Sequence, residues 1–470
     1  FCKGSVEIII SKLYQMLEKT GEFIIQSSNL VWGTPILILL MGGGLFFLVY
    51  SRLAPLRYIG HAISILTGKY DDPNEPGQLK HYEALSTALA GTIGMGNISG
   101  VAVAIATGGP GAMFWMWISA LLGVSTKFFE CTLAVMFRGK DSNGEIQGGP
   151  MYFITEGLGK KWKPVAIFFA VAGMIGVSPM FQANQLTQIL KDVIFVPNMA
   201  VVPANINLYI GIVLAAIVGV VIFGGVTRIG MVAGKVVPLM VIIYGISVAW
   251  IMAVNAEHIL PSLKLIITDA FTGQSVMGGA VGSLIIIGVR RASFSNEAGL
   301  GTASMAHGAA KTSEPVREGL IAMLGPILDT MVVCTMTALA LIITGVWNNP
   351  SVDGVTMTTL AFETSIPGLG KYVLLVTVLF FSLSTMLAYP YYGVKCLGFV
   401  AGARYGKYYY YFYAATILVA ATSQLKVVIS LIDLAFGLMA FPTVISSILL
   451  APHVKRAATN YFSRLKSGQF

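Results

Sequence analysis

The sequence predicts an all-α polytopic membrane protein, and three observations carry that prediction. Hydrophobic residues make up 56% of the 470 and charged residues only 11%, whereas an average soluble domain is about a quarter charged. The apolar residues fall into runs of roughly twenty, the length that crosses about 30 Å of hydrocarbon at about 1.5 Å per residue. Glycine, proline and charged residues punctuate those runs. A transmembrane β-barrel would alternate apolar and polar residues over short segments, which the continuous stretch Ile212–Gly225 excludes.

Eleven spans follow in order: 34–52, 85–107, 111–137, 164–190, 206–225, 229–254, 275–289 with its continuation, 317–346, 370–394, 408–424 and 428–451. Ahead of them, Val6–Ile25 carries Ile8, Ile9, Leu13, Met16 and Leu17 at near-helical spacing, with Lys12, Glu18 and Lys19 between. That pattern predicts an amphipathic helix on the outer membrane surface. Assigning loops alternately to two sides separates the basic residues. One side collects Arg52, Arg57, Lys69, Lys80, Arg138, Lys140, Lys160, Lys161, Lys163, Arg228, Arg290, Arg291, Lys311, Arg317, Lys395, Arg404, Lys407, Lys455, Arg456, Arg464 and Lys466. The other keeps only a few, such as Lys191, Lys264, Lys371 and Lys426. The positive-inside rule makes the richer side cytoplasmic, so the N-terminus is expected outside and the C-terminus inside an inner (plasma) membrane. A signal peptide removed before Phe1 would suit that orientation.

The net charge of +9 is thus topological. Lys and Arg are spread among the loops with no arginine-rich, aromatic-interleaved patch, so no nucleic-acid partner is expected; the partner is the bilayer. Cys2, Cys131, Cys334 and Cys396 have no paired spacing and read as small apolar filler. No HExxH, GxSxG or P-loop motif occurs, and the histidines His61, His81, His258, His307 and His453 sit mostly in predicted loops, so no enzyme or ATP-driven pump is expected.

Two spans do not read as ordinary helices. Gly91-Thr92-Ile93-Gly94-Met95-Gly96-Asn97-Ile98-Ser99-Gly100 puts four glycines and an asparagine into ten residues mid-span. Each glycine weakens a helix interior by about 1 kcal/mol relative to alanine. Gly96 and Gly100 would also suit close packing of small faces, but the Asn97 amide needs polar partners that a dry face lacks. Ser293-Phe294-Ser295-Asn296-Glu297-Ala298-Gly299-Leu300-Gly301 follows an apolar run too short for a crossing, which places it below the bilayer centre or folded back into it. Backbone that leaves helical geometry at such depth is tolerated only where it lines a cavity or is buried in protein. A half-helix N-terminus suits a carboxylate, and freed carbonyls suit a cation or an ammonium. With five spans in each of two repeats, the second repeat is forced to be inverted, the arrangement of a secondary transporter with a midplane site. The expected organisation is 1–30 external amphipathic segment, 31–84 extra transmembrane helix and cytoplasmic loop, 85–254 first repeat, 275–452 second repeat and 453–470 cytoplasmic tail.

The run LSTALAGTIGMGNISGVAVAIATGGPGAMFWMW, the stretch STKFFECTLAV, the loop GGPMYFITEGLG and FSNEAGLGTA closely resemble the alanine or glycine:cation symporter family, in order, from about Trp32 to Pro452. Gly94-Met95-Gly96-Asn97 is also similar to the first broken helix of sodium symporters of the LeuT fold, of which that family is a relative. The resemblance implies a LeuT-like 5+5 inverted repeat with one extra N-terminal helix and sodium-coupled uptake of a small neutral amino acid. It implies that Met95 and Gly96 hold the substrate carboxylate through their N–H groups, and that Phe294, Ser295 and Asn296 meet the amino group and side chain. Asn97, Gln182, Thr385 and Tyr389 then complete the pocket. A sodium site would take the carbonyls of Ala90, Ile93 and Phe381 with the hydroxyls of Ser384 and Thr385, an all-oxygen set that suits a hard cation. Without the resemblance, back-bonding to a carbonyl one turn earlier is as good a reading of those two hydroxyls. Proton coupling is the alternative mechanism, and a channel a more distant one.

Three positions depart from the family's commoner pattern: Met95 where threonine is frequent, Tyr389 where tryptophan is frequent, and Val177-Ser178-Pro179 where a Gly-Asn pair usually precedes Met180-Phe181-Gln182. A pocket of altered volume and polarity is expected. Lys127 and Glu130, three apart, are expected to pair within one helix. Asp329, inside a span, needs a partner or a cation: a coupling-ion ligand, a gate residue and a protonated structural acid all fit. Asp433 and Glu297 fall near predicted helix ends, where water is expected.

Overall fold

The computed structural model describes residues 2–222, 226–272 and 281–469, and side chains outside 2–14, 17, 226–230, 232–233 and 281. Helices follow one another almost without interruption: α1 (Cys2–Val31), α2 (Thr34–Tyr50), α3 (His81–Thr92), α4 (Gly96–Gly108), α5 (Ala112–Met136), α6 (Lys163–Gly176), α7 (Met180–Leu190), α8 (Ile206–Ile222) and α9 (Val226–Val254). Then come α10 (Ile259–Thr272), α11 (Val281–Asn296), α12 (Thr302–His307), α13 (Pro315–Ile343), α14 (Gly354–Ser365), α15 (Gly370–Ala401), α16 (Tyr409–Thr422) and α17 (Leu425–Lys466). A two-stranded hairpin pairs Gly139 with Gln147 and Lys140 with Ile146.

Among the described residues six helices are long and apolar enough to cross a membrane, or eight when each bent pair is one span. The bent pairs are Glu18–Val31 with Thr34–Tyr50, at 48°, and His81–Thr92 with Gly96–Gly108, at 52°. Ile206–Ile222 is a shorter apolar helix, and α16 is 14 residues long. The start of the predicted span 275–289 lies outside the described residues as far as 280. The helix expected over Val6–Ile25 is present but runs on to Val31, because nothing breaks it before the Gly33–Pro35 turn.

Long-range hydrogen bonds sort the connections into two ends. At one, the Arg138 guanidinium gathers the carbonyls of Gly308 (2.8 Å), Thr312 (2.8 Å) and Ala310, Arg464 forks onto Glu314 (2.7 and 2.9 Å), and Ser142 accepts the Ala403 amide (2.8 Å). The basic loops predicted to share a side therefore meet there. At the other end, the Gly111 amide donates to Asp269 (2.7 Å), Val355 N–H to Gln185 (2.9 Å) and Thr356 to Asp192 (3.0 Å).

Arg290 and Arg291 correct the sequence reading, which counted them with the basic loops. They lie within α11, more than one turn before its end, and both bond the Asp433 carboxylate, Arg290 Nε at 2.7 Å. Arg290 also reaches Asn29 and Ser28, at the other end of the molecule. A helix can carry two arginines past the apolar run because a buried carboxylate compensates them. Asp433 is accordingly buried and paired, not at a watered helix end.

α15 runs through the middle of the bundle, and its start is capped from outside. Glu363 accepts the amides of Gly368 (2.8 Å), just ahead of the helix, and Lys371 (3.1 Å), a donor that the first helical turn leaves free. Those two amides hold its carboxyl below the ordinary range. A depressed carboxylate contributes stability above its unfolded pKa and loses it as pH falls through the folded one. Glu363→Gln should therefore lower the melting temperature of the purified protein at neutral pH, and the gap from the unsubstituted protein should close on acidification; a gap independent of pH would contradict the capping role.

Candidate functional site

The first helix break begins where α3 ends. Ile93 is extended (ψ 91°) while its amide still bonds the Leu89 carbonyl at 2.7 Å, and the chain resumes as a π-helical turn from Gly96 to Gly100. Asn97 repairs the break. Its Oδ1 accepts the orphaned Gly94 amide at 2.9 Å, and its Nδ2 faces Asp329 Oδ2 at 2.8 Å and Ser295 Oγ at 3.2 Å. Its carbonyl accepts Thr337 Oγ1 at 2.7 Å.

The second break runs from Glu297 to Gly301. Glu297 adopts a left-handed backbone (φ 55°), rare for a residue with a side chain, with Gly299 and Gly301 also at positive φ. Its buried carboxylate accepts Tyr389 Oη at 2.5 Å and Thr302 Oγ1. Water was expected there; the break instead lies in the packed interior, so side chains must supply the partners. Ser295 Oγ donates to Asp329, Asn296 Nδ2 donates to Thr330 at 3.0 Å, and Asn296 Oδ1 accepts the Ala298 amide at 2.9 Å. Asp329 and Thr330 are consecutive, and both face the breaks because Ile327–Cys334 is wound as a π-helix, whose wider turn brings neighbours onto one side.

The structure thus brings Asn97, Ser295 and Asn296 together around Asp329 and Thr330. Phe294 lies against Gly96, where a Cβ would sit 3.1 Å from its ring, and stacks edge-on to Phe181 at 4.8 Å. Met95 is fully buried between these elements. Gln182, next to Phe181 on α7, is buried, and its Oε1 has no hydrogen-bond partner among the described residues. Asn184 points elsewhere, to the carbonyls of Ala420 and Ser423.

The residues expected to hold a cation fall on the opposite side of the first break. A Cβ on Gly94 would lie 2.3 Å from Thr385 Oγ1 and 3.6 Å from the Phe381 carbonyl, so only glycine lets α15 come this close. Ser384 and Thr385 both donate back to Phe381 O, at 3.0 and 3.2 Å. Ala90 and Ile93 are buried on the α3 side. Tyr389, one turn beyond Thr385, lays its ring 3.3 Å from where a Gly91 Cβ would be. The carbonyls and hydroxyls gathered here are oxygen donors of the kind a hard monovalent cation takes.

Buried carboxylates bound by basic side chains lie on both sides of the site. Toward one, Arg291 pairs with Asp433 and its guanidinium lies 5.0 Å from the centre of the Phe294 ring. Toward the basic end, Glu318 on α13 binds His81 on α3 and, at 2.6 Å, His307 on α12, all three buried. Reading these histidines as loop residues missed them; the available signal was their position beside the two broken spans. Lys395 adds a bond to the Met305 carbonyl at 3.0 Å. The expected Lys127–Glu130 pair does not close. Both side chains point at the second break, where the backbone of Gly299 and Gly301 faces Glu130, and Lys127 Nζ has no hydrogen-bond partner among the described residues.

Two interrupted helices meet around a closed polar centre within a helical membrane bundle, the arrangement that suits a membrane transporter. The chain belongs to the sodium:alanine symporter family, whose model matches residues 17–470, in agreement with the resemblance carried by its motifs. An uncharacterised transporter of Haemophilus influenzae is 40% identical over 449 residues, covering 94% of this chain and 96% of that one. The sodium/alanine symporter AgcS of Methanococcus maripaludis is 36% identical, covering 94% and 97%. The probable sodium/glutamine symporter GlnT of Bacillus subtilis is 32% identical, covering 94% and 91%. The structure of MhsT in complex with L-phenylalanine is similar in fold, with a TM-score of 0.55 at 11% identity over 82% of this chain and 99% of that one.

Gly94→Ala should cut uptake roughly tenfold or more at unchanged membrane abundance, since its methyl would drive Thr385 away. Gly60→Ala, where a Cβ meets nothing within 4 Å, is the control and should transport normally. Equal activity of the two variants in a cell uptake assay would contradict the close approach.

Proposed function

We propose that this protein carries a small neutral amino acid inward with sodium by alternating access, with the N-terminus outside, the C-terminus cytoplasmic and the repeats 85–254 and 275–452 inverted about a midplane site in an eleven-span chain. The observation that carries the reading is the meeting of two helix breaks at Asn97, Ser295 and Asn296, with the turn from Phe381 to Thr385 packed on Gly94. The N–H groups of Met95 and Gly96 hold the substrate carboxylate, and Phe294, Ser295 and Asn296 receive its amino group and side chain, with Gln182 and Tyr389 bounding the pocket. Sodium takes the carbonyls of Ala90, Ile93 and Phe381 and the hydroxyls of Ser384 and Thr385. Both hydroxyls can rotate their protons away from Phe381 O, leaving lone pairs for the ion.

The ion stabilises an occupied state that can close, so flux follows its gradient. The names of the relatives support coupling to sodium and cargo of the alanine or glutamine type. A proton-coupled reading is favoured by one observation, the buried Asp329 carboxylate among Asn97, Ser295 and Thr330, and one Bacillus subtilis relative is named a putative sodium/proton-dependent alanine carrier.

Uptake into proteoliposomes across a panel of amino acids, with sodium and proton gradients imposed separately, tests both readings. The sodium gradient alone should drive accumulation of alanine-sized substrates. Asn97→Ala and Thr385→Ala should each raise the sodium concentration for half-maximal uptake by roughly 10-fold or more while leaving abundance unchanged, the loss expected when a hydrogen bond or ligand to a charged group goes. Unchanged sodium dependence in both variants would remove these residues from the ion-coupling machinery.

A further inference from the structure

The surface at the basic end where α2 meets α17 lies apart from the two helix breaks, yet it is shaped for a ligand. Two adjoining hollows, of about 540 and 260 Å³, share Tyr50, Lys455 and Thr459 in their walls. Arg52 and Arg456 stand at their rims, and Phe128 and Phe129 of α5 line the narrower one.

Three cations converge here without an anion. Among the described residues no ion pair involves Arg52, Lys455 or Arg456, and Lys455 instead lies 4.1 Å from the centre of the Tyr50 ring. Elsewhere at this end, Arg464 is matched to a carboxylate, so the lack is local. Arg52 is held out of its helix by a left-handed backbone (φ 54°), which turns the chain at the end of α2.

The groove also has a direction. Helical spacing carries the face of Arg456 and Pro452 up α17 to Leu449 (48% exposed) and Ile445 (41%). On α2 the neighbouring face is Val49 (66% exposed) and Leu45 (53%), with Phe46 stacked on Tyr50 at 5.1 Å. A polar, cationic pocket at the end of a bundle thus opens onto an apolar track that runs into the hydrocarbon. A free phosphate would use the first feature and not the second.

We propose that this groove binds an anionic phospholipid of the leaflet at the basic end, with its phosphate among Arg52, Lys455 and Arg456 and an acyl chain along Leu45, Val49, Ile445 and Leu449. Basic pockets between helices at a membrane surface bind anionic headgroups, and each cation there contributes roughly fivefold in affinity. The lipid fastens the extra helix α2 to α17, which α2 otherwise meets through the close approach of Gly43 to Val444.

The test is a native mass spectrometry titration of the purified full-length protein with dioleoyl phosphatidylglycerol, dioleoyl phosphatidylcholine or inorganic phosphate, alongside melting temperatures in each. Phosphatidylglycerol should bind more tightly than phosphatidylcholine and raise the melting temperature, and inorganic phosphate should do neither. Arg52→Gln with Lys455→Gln and Arg456→Gln should weaken phosphatidylglycerol binding by about 100-fold while leaving phosphatidylcholine binding and size-exclusion behaviour unchanged. Lys160→Gln with Lys161→Gln, at the same end, should leave it intact. Retention of full phosphatidylglycerol affinity by the triple variant, equal loss in the Lys160/Lys161 control, or an equal melting shift with inorganic phosphate would each overturn the proposal.

Discussion

Backbone amides and carbonyls in hydrocarbon have no water to fall back on, so a helix that stops inside the membrane must find every partner it forgoes within the protein. Most of this structure answers that requirement. Asn97 replaces the missing turn of α3 by accepting the Gly94 amide, and it needs Asp329 and Ser295 to occupy its own donors. Asp329 and Thr330 reach it because α13 is wound as a π-helix at that level, and Thr337 comes up from the next α turn to take the Asn97 carbonyl. One side-chain amide ties α4, α11 and α13 into a single polar node.

Three buried carboxylates obey the same accounting with larger penalties, since an ion in a low-dielectric site is costly unless paired. Glu297 is met by two hydroxyls, Asp433 by two arginines, and Glu318 by two histidines. The last two groups lie on either side of the helix breaks, and each joins separate helices: Asp433 ties α17 to α11, and Glu318 ties α13 to α3 and α12.

Much of this was legible before any coordinates. The glycine cluster around Asn97 and the SFSNEAG segment announced two interruptions, because four glycines or a run of small polar residues cannot hold a helix in lipid by themselves. The motifs announced the family. Arg290 and Arg291 misled, since charge at the end of an apolar run normally marks the interface, and only the remote carboxylate of Asp433, more than a hundred residues away in sequence, lets them stay inside the helix. His81 and His307 looked like loop residues for the same reason: their partner, Glu318, is close in space and invisible in local pattern.

Periodicity, run length and local breaking residues are properties of neighbours along the chain, so the sequence by itself determined that this is a helical membrane protein, where its helices fail and which family it joins. Which groups satisfy the broken backbone, where a lone carboxylate finds its donors and which cations are left without an anion depend on contacts between distant segments. Packing decided those, because in hydrocarbon the cost of an unpartnered polar group is settled by whatever side chain the fold brings within hydrogen-bond reach.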